Sequence, residues 1–256
     1  PPGHRTGWRM VKVHPAWWRD RLLWAALCLA VLVTGLPHSE PVFAQLFPQL
    51  ERPVYRQEPF TQLLWQHLLL VSVSGAASVL VGTLAGVWVT RRRGQAFRPV
   101  LETLVSMGQT LPPVAVLALA VPAVGFGELP ALMALALYGL LPVVQATITG
   151  LEAVPAPVQQ AANGMGLTPW QRLTQVEGPL ALPIWLSGVR TSVISNIGTA
   201  AMASTVGAKT LGSPSIVGLS GFNTAYVLQG AVVVGMLAVV VDMAFERLAQ
   251  RLRKKA

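Results

Sequence analysis

The nearest approach to a phosphate-binding loop in this sequence is Gly207-Ala208-Lys209-Thr210. Such a loop requires a glycine directly before the lysine and another glycine earlier in the loop. Ala208 occupies the first of these positions, and the earlier position is not a glycine either. A second pattern, Gly164-Met165-Gly166, begins like a dinucleotide-binding motif, but Pro169 stands where the third glycine belongs. We therefore predict that the chain has no nucleotide site of its own.

Residues for other kinds of chemistry are equally sparse. Cys28 is the only cysteine, so an intrachain disulfide is excluded. The histidines do not have the spacing of metal ligands, and no Ser/His/Asp or paired-carboxylate arrangement is evident. We predict no catalytic residue, no metal site and no cofactor bound by this chain. Energy for any uphill process must then come from a partner.

The sequence as a whole is strongly apolar. Charged residues make up 11% of the 256 residues, whereas a typical globular chain has about 25%. Apolar side chains account for 53%, and there are 23 glycines besides. A soluble protein could not cover its surface with so few charges. The composition therefore predicts an all-α protein that crosses a membrane several times.

Six segments are apolar enough to be membrane-spanning helices, which need about 20 such residues. Their approximate ranges are 22–36, 63–89, 105–124, 130–150, 190–206 and 226–244. In the second segment, Ser74, Ser78, Gly82 and Gly86 are spaced four residues apart. This spacing places small residues on one helix face and predicts close packing against another helix.

The basic residues orient these segments. Sixteen of the 19 lysines and arginines lie before span one, between spans two and three, between spans four and five, or after span six. The positive-inside rule then makes both termini cytoplasmic, with residues 1–20 as an N-terminal segment, 21–246 as the membrane domain and 247–256 as a basic tail. The basic excess indicates topology and not nucleic-acid binding, because no basic stripe carries stacking aromatics.

The first span is interpreted as a retained signal anchor. Basic residues precede it, and Val42-Phe43-Ala44 follows it. The alternative is a signal peptide that is cleaved at this alanine. Pro41 and the bulky Phe43 fit poorly near a cleavage site, and cleavage would leave the later topology unchanged.

The longest internal cytoplasmic stretch, residues 152–183, is amphipathic rather than apolar. Pro157 suits the first turn of a short helix. Gly164 and Gly166 can end that helix.

A second short helix is predicted directly afterwards. Thr168 and Gln171 have the spacing of a capping box, and Pro169 suits the first helical position. We expect this helix to reach about Val176 and to stop at Pro179. Its polar face carries few lysines or arginines, which favours docking to a partner over the alternative of a helix pair lying on lipid.

This stretch resembles the EAA loop of ABC-importer permeases. That motif reads Glu-Ala-Ala, three residues, Gly, nine residues, then Ile-x-Leu-Pro. Here the same spacing joins Gln160-Ala161-Ala162, Gly166 and Val176-Glu177-Gly178-Pro179. The sequence departs from the motif at Gln160, Val176 and Gly178.

The resemblance extends over nearly all the chain from about residue 20. Five further segments are similar to the permease branch that imports osmoprotectants such as glycine betaine, choline, carnitine or proline betaine. They are residues 108–113, 164–168, 188–192, 196–200 and 218–226.

The resemblance implies a type I ABC-importer fold in a bacterial inner membrane. It also implies a second permease subunit, of the same or a different chain, and a pair of cytoplasmic ATPases that bind ATP and magnesium. A periplasmic substrate-binding protein would dock from the other side.

The resemblance implies that the cytoplasmic loop docks on the ATPase. The residues assigned to docking and coupling are Gln160, Ala161, Ala162, Gly164, Gly166, Thr168, Trp170, Arg172, Glu177 and Pro179. Trp170 would fill a groove of the partner or, alternatively, rest on lipid.

Gln109, Ser192 and Asn196 are polar residues within or near spans and are candidates for the substrate path. The alternative for them is hydrogen bonding between helices.

Two other functions stay open at this point. A permease for another small solute, such as an amino acid, would share every gross feature. A channel or scaffold without an ATPase would leave the amphipathic loop unexplained.

Overall fold

The computed structural model of the protein describes residues 20–253, apart from the side chains of Gln109 and Arg253. Within this range the chain is helical and has no strand. Its α-helices are α1 (Arg21–Gly35), α2 (Glu40–Leu46), α3 (Phe60–Val89), α4 (Arg98–Thr110), α5 (Pro113–Val124), α6 (Glu128–Glu152), α7 (Ala156–Gly164), α8 (Pro169–Arg172), α9 (Gly178–Ala200), α10 (Ser213–Ser220) and α11 (Thr224–Arg253). A π-helix (Leu173–Glu177) joins α8 to α9, and a 3-10 helix (Ala201–Val206) follows α9.

Four helical segments of the described range are long and apolar enough to cross a membrane. They are Arg21–His38, Phe60–Val89, Glu128–Glu152 and Thr224–Leu252. A fifth span results if Gln95–Gly108 and Pro113–Val124 are taken together, although these two segments meet at an angle of 96°. The sequence predicted six membrane spans, which is more than these four or five.

The predicted span at 105–124 is therefore two helices, α4 and α5, and not one straight helix. Leu111 and Pro112 lie between them in extended conformations. Pro112 and Pro113 have no N–H to donate, and each disfavours a helical conformation in the residue before it. The proline pair thus breaks the span.

The predicted span at 190–206 is wrong in its bounds. Helix α9 begins at Gly178 and ends at Ala200, so Arg190 lies midway along it and not before it. The Arg190 guanidinium forms an ion pair with Asp242 of α11, with an N–O distance of 2.6 Å. Helix α11 also continues past the predicted end at 244, as far as Arg253.

Helix α6 is packed between α3 and α9, and small residues allow the close approach. The predicted small-residue face of α3 is confirmed, since Ser74, Ser78, Gly82 and Gly86 are all buried. The Ser78 hydroxyl donates to the Ala136 carbonyl of α6 at 2.7 Å. A Cβ atom at Gly86 would lie only 2.7 Å from the Cβ of Thr147 in α6.

Helix α6 meets α9 in the same way. A Cβ atom at Gly188 of α9 would lie 2.5 Å from the carbonyl oxygen of Pro142. The Ser192 hydroxyl donates to the Gly139 carbonyl at 2.9 Å. Helices α3, α6 and α9 therefore form a tight unit, and the loop between α6 and α9 is attached directly to it.

Candidate functional site

The segment from α7 to the start of α9 is the candidate functional site, and it begins with a well-defined helix end. The N–H of Leu167 donates to the carbonyl of Ala162 at 3.2 Å, and the N–H of Gly166 donates to the carbonyl of Asn163 at 3.0 Å. These two bonds are those of a Schellman motif, which satisfies carbonyl groups at the end of a helix. Gly166 has the left-handed conformation that the motif requires, with φ of +76°. The predicted bend at Gly166 is confirmed.

The second helix begins at a capping box, as predicted. The backbone N–H of Gln171 donates to Thr168 Oγ1 at 3.3 Å, and the backbone N–H of Thr168 donates to Gln171 Oε1 at 2.9 Å. Pro169 is the first residue of α8. Its fixed φ and missing N–H suit that position. A Schellman motif that ends at Leu167 and a capping box that starts at Thr168 thus define the turn between α7 and α8.

The prediction that Pro179 stops the second helix is wrong. Helix α8 passes into the π-helix Leu173–Glu177, which passes directly into α9. The N–H of Gly178 donates to the carbonyl of Leu173, five residues earlier. Pro179 cannot donate to a carbonyl in the preceding turn. The chain avoids a break by widening one turn instead.

Gly178 fits this wide turn because it lacks a side chain. A Cβ atom there would lie 2.8 Å from the carbonyl oxygen of Leu173. The EAA motif has leucine at this position. The departure from the motif at Gly178 therefore coincides with the π-helix in this chain.

The π-helix brings Arg172 and Glu177 onto one face. In an α-helix of 3.6 residues per turn, residues five apart point about 140° away from each other. The wider π turn closes after roughly five residues. Arg172 Nε and Glu177 Oε1 are accordingly 2.7 Å apart.

Glu177 is predicted to contact a partner, but it is buried inside the chain with 4% of its surface exposed. Its Oε2 atom accepts a hydrogen bond of 2.6 Å from Arg91, which follows the end of α3. Arg172 also donates to Asn163 Oδ1 of α7 at 2.8 Å. We call these four residues the Glu177 cluster: Arg91, Asn163, Arg172 and Glu177. A partner could not reach the carboxylate without first opening this cluster.

A second group of charges lies beside the Glu177 cluster. Arg98 forms ion pairs with Glu102 of its own helix and with Glu152 at the end of α6. A cleft of about 190 Å³ separates the two groups and is lined by Arg91, Arg98, Arg172, Glu152 and Glu177. Each arginine already has a carboxylate partner, so these charges fix helices and do not await an anion.

The outer side of the α7–α8 turn is exposed and partly apolar. Met165 is 70% exposed and Trp170 is 71% exposed. Several predicted docking residues of this segment are exposed as well, and we call the whole set the docking surface: Gln160, Ala161, Gly164, Met165, Gly166, Thr168 and Trp170. Ala162, also predicted to dock, is 1% exposed and packs inward. Met165 was not predicted, although its place in the glycine-flanked turn could have indicated it.

The three candidates for the substrate path have different surroundings. The Ser192 hydroxyl donates a hydrogen bond to the Gly139 carbonyl of α6, which agrees with the alternative of hydrogen bonding between helices. Asn196 is fully buried, and within residues 20–253 neither its Oδ1 nor its Nδ2 atom has a hydrogen-bond partner. Gln109 lies in α4, and its side chain is outside the described part of the structure.

Groups for other chemistry are not assembled in the described residues. No cluster of His, Cys, Asp or Glu within 20–253 could hold a metal ion. Lys209, from the glycine-containing stretch, forms an ion pair of 3.2 Å with Glu58. The stretch Gly207-Ala208-Lys209-Thr210 thus takes part in a contact between two loops.

Residues 78–254 match the protein family described as binding-protein-dependent transport system inner membrane component. The chain is 39% identical to the osmoprotectant import permease protein OsmY of Salmonella typhimurium strain LT2, covering 79% of this chain and 86% of OsmY. It is 36% identical to the glycine betaine/carnitine/choline transport system permease protein OpuCB of Bacillus subtilis strain 168, covering 69% of this chain and 81% of that protein.

Two solved structures have the same fold. One is an inward-facing form of the MetNI methionine ABC transporter, with a TM-score of 0.67 and 24% identity, covering 77% of this chain and 99% of that one. The other is an amino acid ABC transporter crystallised with histidines, with a TM-score of 0.60 and 18% identity, covering 77% of this chain and 93% of that one. At these identities the likeness concerns the fold alone.

Proposed function

This chain belongs to the family of binding-protein-dependent transport system inner membrane components, and from that premise we propose that it carries a small osmoprotectant into the cell. It is a multi-pass inner-membrane permease subunit of an ABC importer and not an enzyme. ATP hydrolysis belongs to a separate partner. The substrate we propose is glycine betaine or a choline-like compound.

The docking surface is the observation that supports the proposed role as the permease subunit of an ATP-driven importer. It presents two exposed apolar side chains, Met165 and Trp170, on a turn held by two capping motifs. A rigid turn with an exposed aromatic residue suits a groove in a second protein, because little conformational entropy is lost on binding. We propose that this groove belongs to the cytoplasmic ATPase.

The choice of substrate is supported by the degree of similarity. The curated relatives named above are 39% and 36% identical to this chain and are named for osmoprotectants, glycine betaine, carnitine and choline. The amino acid and methionine transporters are 18% and 24% identical. The osmoprotectant assignment is therefore favoured over the amino-acid alternative.

In the proposed mechanism, two permease subunits place their docking surfaces on an ATPase pair. ATP and magnesium bind only to that pair. Closure of the ATPases draws the two surfaces together and moves the attached helices, which opens the path to a periplasmic binding protein. Linkage requires that substrate delivery and ATPase closure favour each other by the same equilibrium factor.

Asn196 is the residue we propose for the substrate path. A buried amide without partners is costly, so it is expected to gain partners in another state of the transport cycle. Replacing Asn196 with leucine should reduce uptake while Ser192→Ala changes it little. Equal effects of the two substitutions would contradict this assignment.

The experiment that tests the proposed function is affinity purification of the chain from its own membrane in mild detergent. Mass spectrometry should identify an ABC ATPase with the chain, and radiolabelled glycine betaine or choline should enter proteoliposomes that contain the purified complex and its binding protein. Absence of an ATPase, under conditions that keep another ABC importer intact, would contradict the proposal. Uptake of an amino acid in place of both osmoprotectants would favour the second candidate function.

A further inference from the structure

Two segments that are far apart in sequence, the end of α3 and the segment from α8 to the π-helix, meet at the carboxylate of Glu177. Arg91, at the cytoplasmic end of α3, contacts Oε2 at 2.6 Å, and Arg172 of α8 contacts Oε1 at 2.7 Å. Through Arg172, the cluster reaches Asn163 of α7 at 2.8 Å. Helices α7 and α8, which carry the docking surface, are thus connected to the end of α3 by side-chain contacts.

From this arrangement we infer that Glu177 is the positioning residue that transmits movement of the docking surface to α3. The inference rests on the proposed function, because it requires an ATPase that moves the docking surface. It assigns the transmission to a site inside the permease and not to a contact with the ATPase.

Burial makes the Glu177 cluster a stiff link. The side chain of Glu177 is 5% exposed, whereas the two carboxylates paired with Arg98 are 42% and 51% exposed. Breaking an ion pair from which water is excluded leaves an uncompensated charge, so the partners are expected to move together. Exposed pairs such as Arg98–Glu102 are weak and screened by salt.

The backbone between the docking surface and α9 is less suited to transmit force. It passes through the π-helix, where Gly178 and Pro179 interrupt the regular bonding of one turn. Such π-helical turns are frequent at functional sites. The side-chain contacts of the Glu177 cluster lead instead to α3. Helix α3 is packed on α6 through its small residues. Movement of the docking surface would therefore displace α3 and α6 as one unit.

The test compares transport with ATP hydrolysis in the complete complex, reconstituted with its own ATPase and binding protein in proteoliposomes. The variants are Glu177→Gln and Arg91→Gln, and Glu102→Gln is the matched control. Glu102 is a carboxylate of the same cytoplasmic face that also pairs with an arginine, and in the described part of the chain its ion pair joins it to Arg98 and not to the docking surface.

We expect Glu177→Gln and Arg91→Gln each to lower glycine betaine uptake at least tenfold while ATP hydrolysis stays within twofold. Glu102→Gln should change neither rate. The double variant Arg91→Gln/Glu177→Gln should be no worse than either single variant, because both substitutions remove the same link.

Equal losses of uptake and hydrolysis would overturn the inference, since a purely structural brace would lower both. Unchanged uptake would overturn it as well. If Glu177→Gln fails to assemble, Arg91→Gln decides the matter, because it leaves Glu177 paired with Arg172. Failure of wild-type chain to bind an ATPase would count against the proposed function and not against this link.

Discussion

Arg190 and Asp242 form an ion pair of 2.6 Å that joins the middle of α9 to α11. Both side chains are about one third exposed, at 36% each. Within a membrane, charged side chains are expensive unless they are paired or reach water. The pair therefore holds the cytoplasmic half of α11, none of whose residues from Asp242 to Leu252 is buried, against the rest of the bundle.

Loss of one partner of this pair should be more harmful than loss of both. We expect Asp242→Asn to destabilise the protein by up to about 1 kcal/mol, because it leaves the Arg190 charge without a counterion while solvent still reaches both side chains. The double variant Arg190→Met/Asp242→Leu should regain most of that loss, since apolar residues of similar volume often replace an ion pair without cost. The apparent midpoint of thermal unfolding in detergent measures both effects. A double variant as unstable as Asp242→Asn would contradict this account.

A second ion pair predicts a dependence of stability on pH. Asp20 caps α1 by accepting a hydrogen bond of 3.1 Å from the N–H of Leu22, and it also pairs with Arg247 of α11. The Arg247 guanidinium hydrogen-bonded to this carboxyl holds the pKa of Asp20 below its usual value of 3.8. A lowered pKa stabilises the folded state above the pKa of the unfolded chain, and that stability is lost as the pH falls through the folded pKa.

Asp20→Asn tests this dependence, because asparagine caps a helix as well as aspartate does but carries no charge. Wild-type protein should have a higher unfolding midpoint than Asp20→Asn at pH 7 and at pH 5. The difference should shrink as the pH falls below 3.8. If the difference in unfolding midpoint instead grew toward low pH, it would contradict a lowered pKa of Asp20 in the folded state.

The two glycines of the docking surface should respond differently to alanine. Gly166 has φ of +76° and open space around its Cα, so alanine there meets no neighbour but adopts a left-handed conformation at a cost of about 1–2 kcal/mol. Gly164 is helical with equally open surroundings. We expect Gly166→Ala to strain the turn and to weaken ATPase binding and transport, whereas Gly164→Ala should leave the stability of the turn unchanged. Membrane insertion, measured by the yield of folded protein, should be normal for both.

The turn between α7 and α8 could be predicted because its determinants are local. Gly166 ends a helix through its own conformation, and Thr168 and Gln171 are three residues apart. The Glu177 cluster and the pairing of Arg190 could not be predicted in this way. Their partners are 86 and 52 residues away, and only the packed helices bring them together.

The π-helix was missed for a different reason. A proline within a helix usually ends or kinks it, and Pro179 was interpreted as such a stop. Whether the chain breaks or widens depends on the neighbours of the proline. Here Gly178 admits the wide turn, and the Arg172–Glu177 pair stabilises it.

Trp170 should be the main anchor of the docking surface. It is 71% exposed in the isolated chain, so its truncation removes no internal contact of consequence. We expect Trp170→Ala to weaken ATPase binding by on the order of 2 kcal/mol, or about thirtyfold, as for other interfacial aromatic anchors. Trp65, 67% exposed near the start of α3, is the matched control. If Trp170 rests on lipid instead, both substitutions will leave the amount of co-purified ATPase unchanged.

The contact between α9 and α6 should tolerate no side chain at Gly188. A Cβ atom there would collide with Ala146 and lie 2.5 Å from the carbonyl oxygen of Pro142, and a backbone carbonyl cannot rotate away as a side chain can. Overpacking of this kind costs about 1–3 kcal/mol or forces the helices apart. Gly188→Ala should therefore lower the thermal unfolding midpoint by several degrees.

Gly198 of the same helix provides the control, because a Cβ atom there has no neighbour within 4 Å. Gly198→Ala should leave the midpoint unchanged or raise it, since alanine favours a helix over glycine by up to about 1 kcal/mol. Equal destabilisation by the two substitutions would mean that flexibility of α9, and not its close approach to α6, is what the glycines provide. That result would also remove the basis for treating α3, α6 and α9 as one unit that moves with the docking surface.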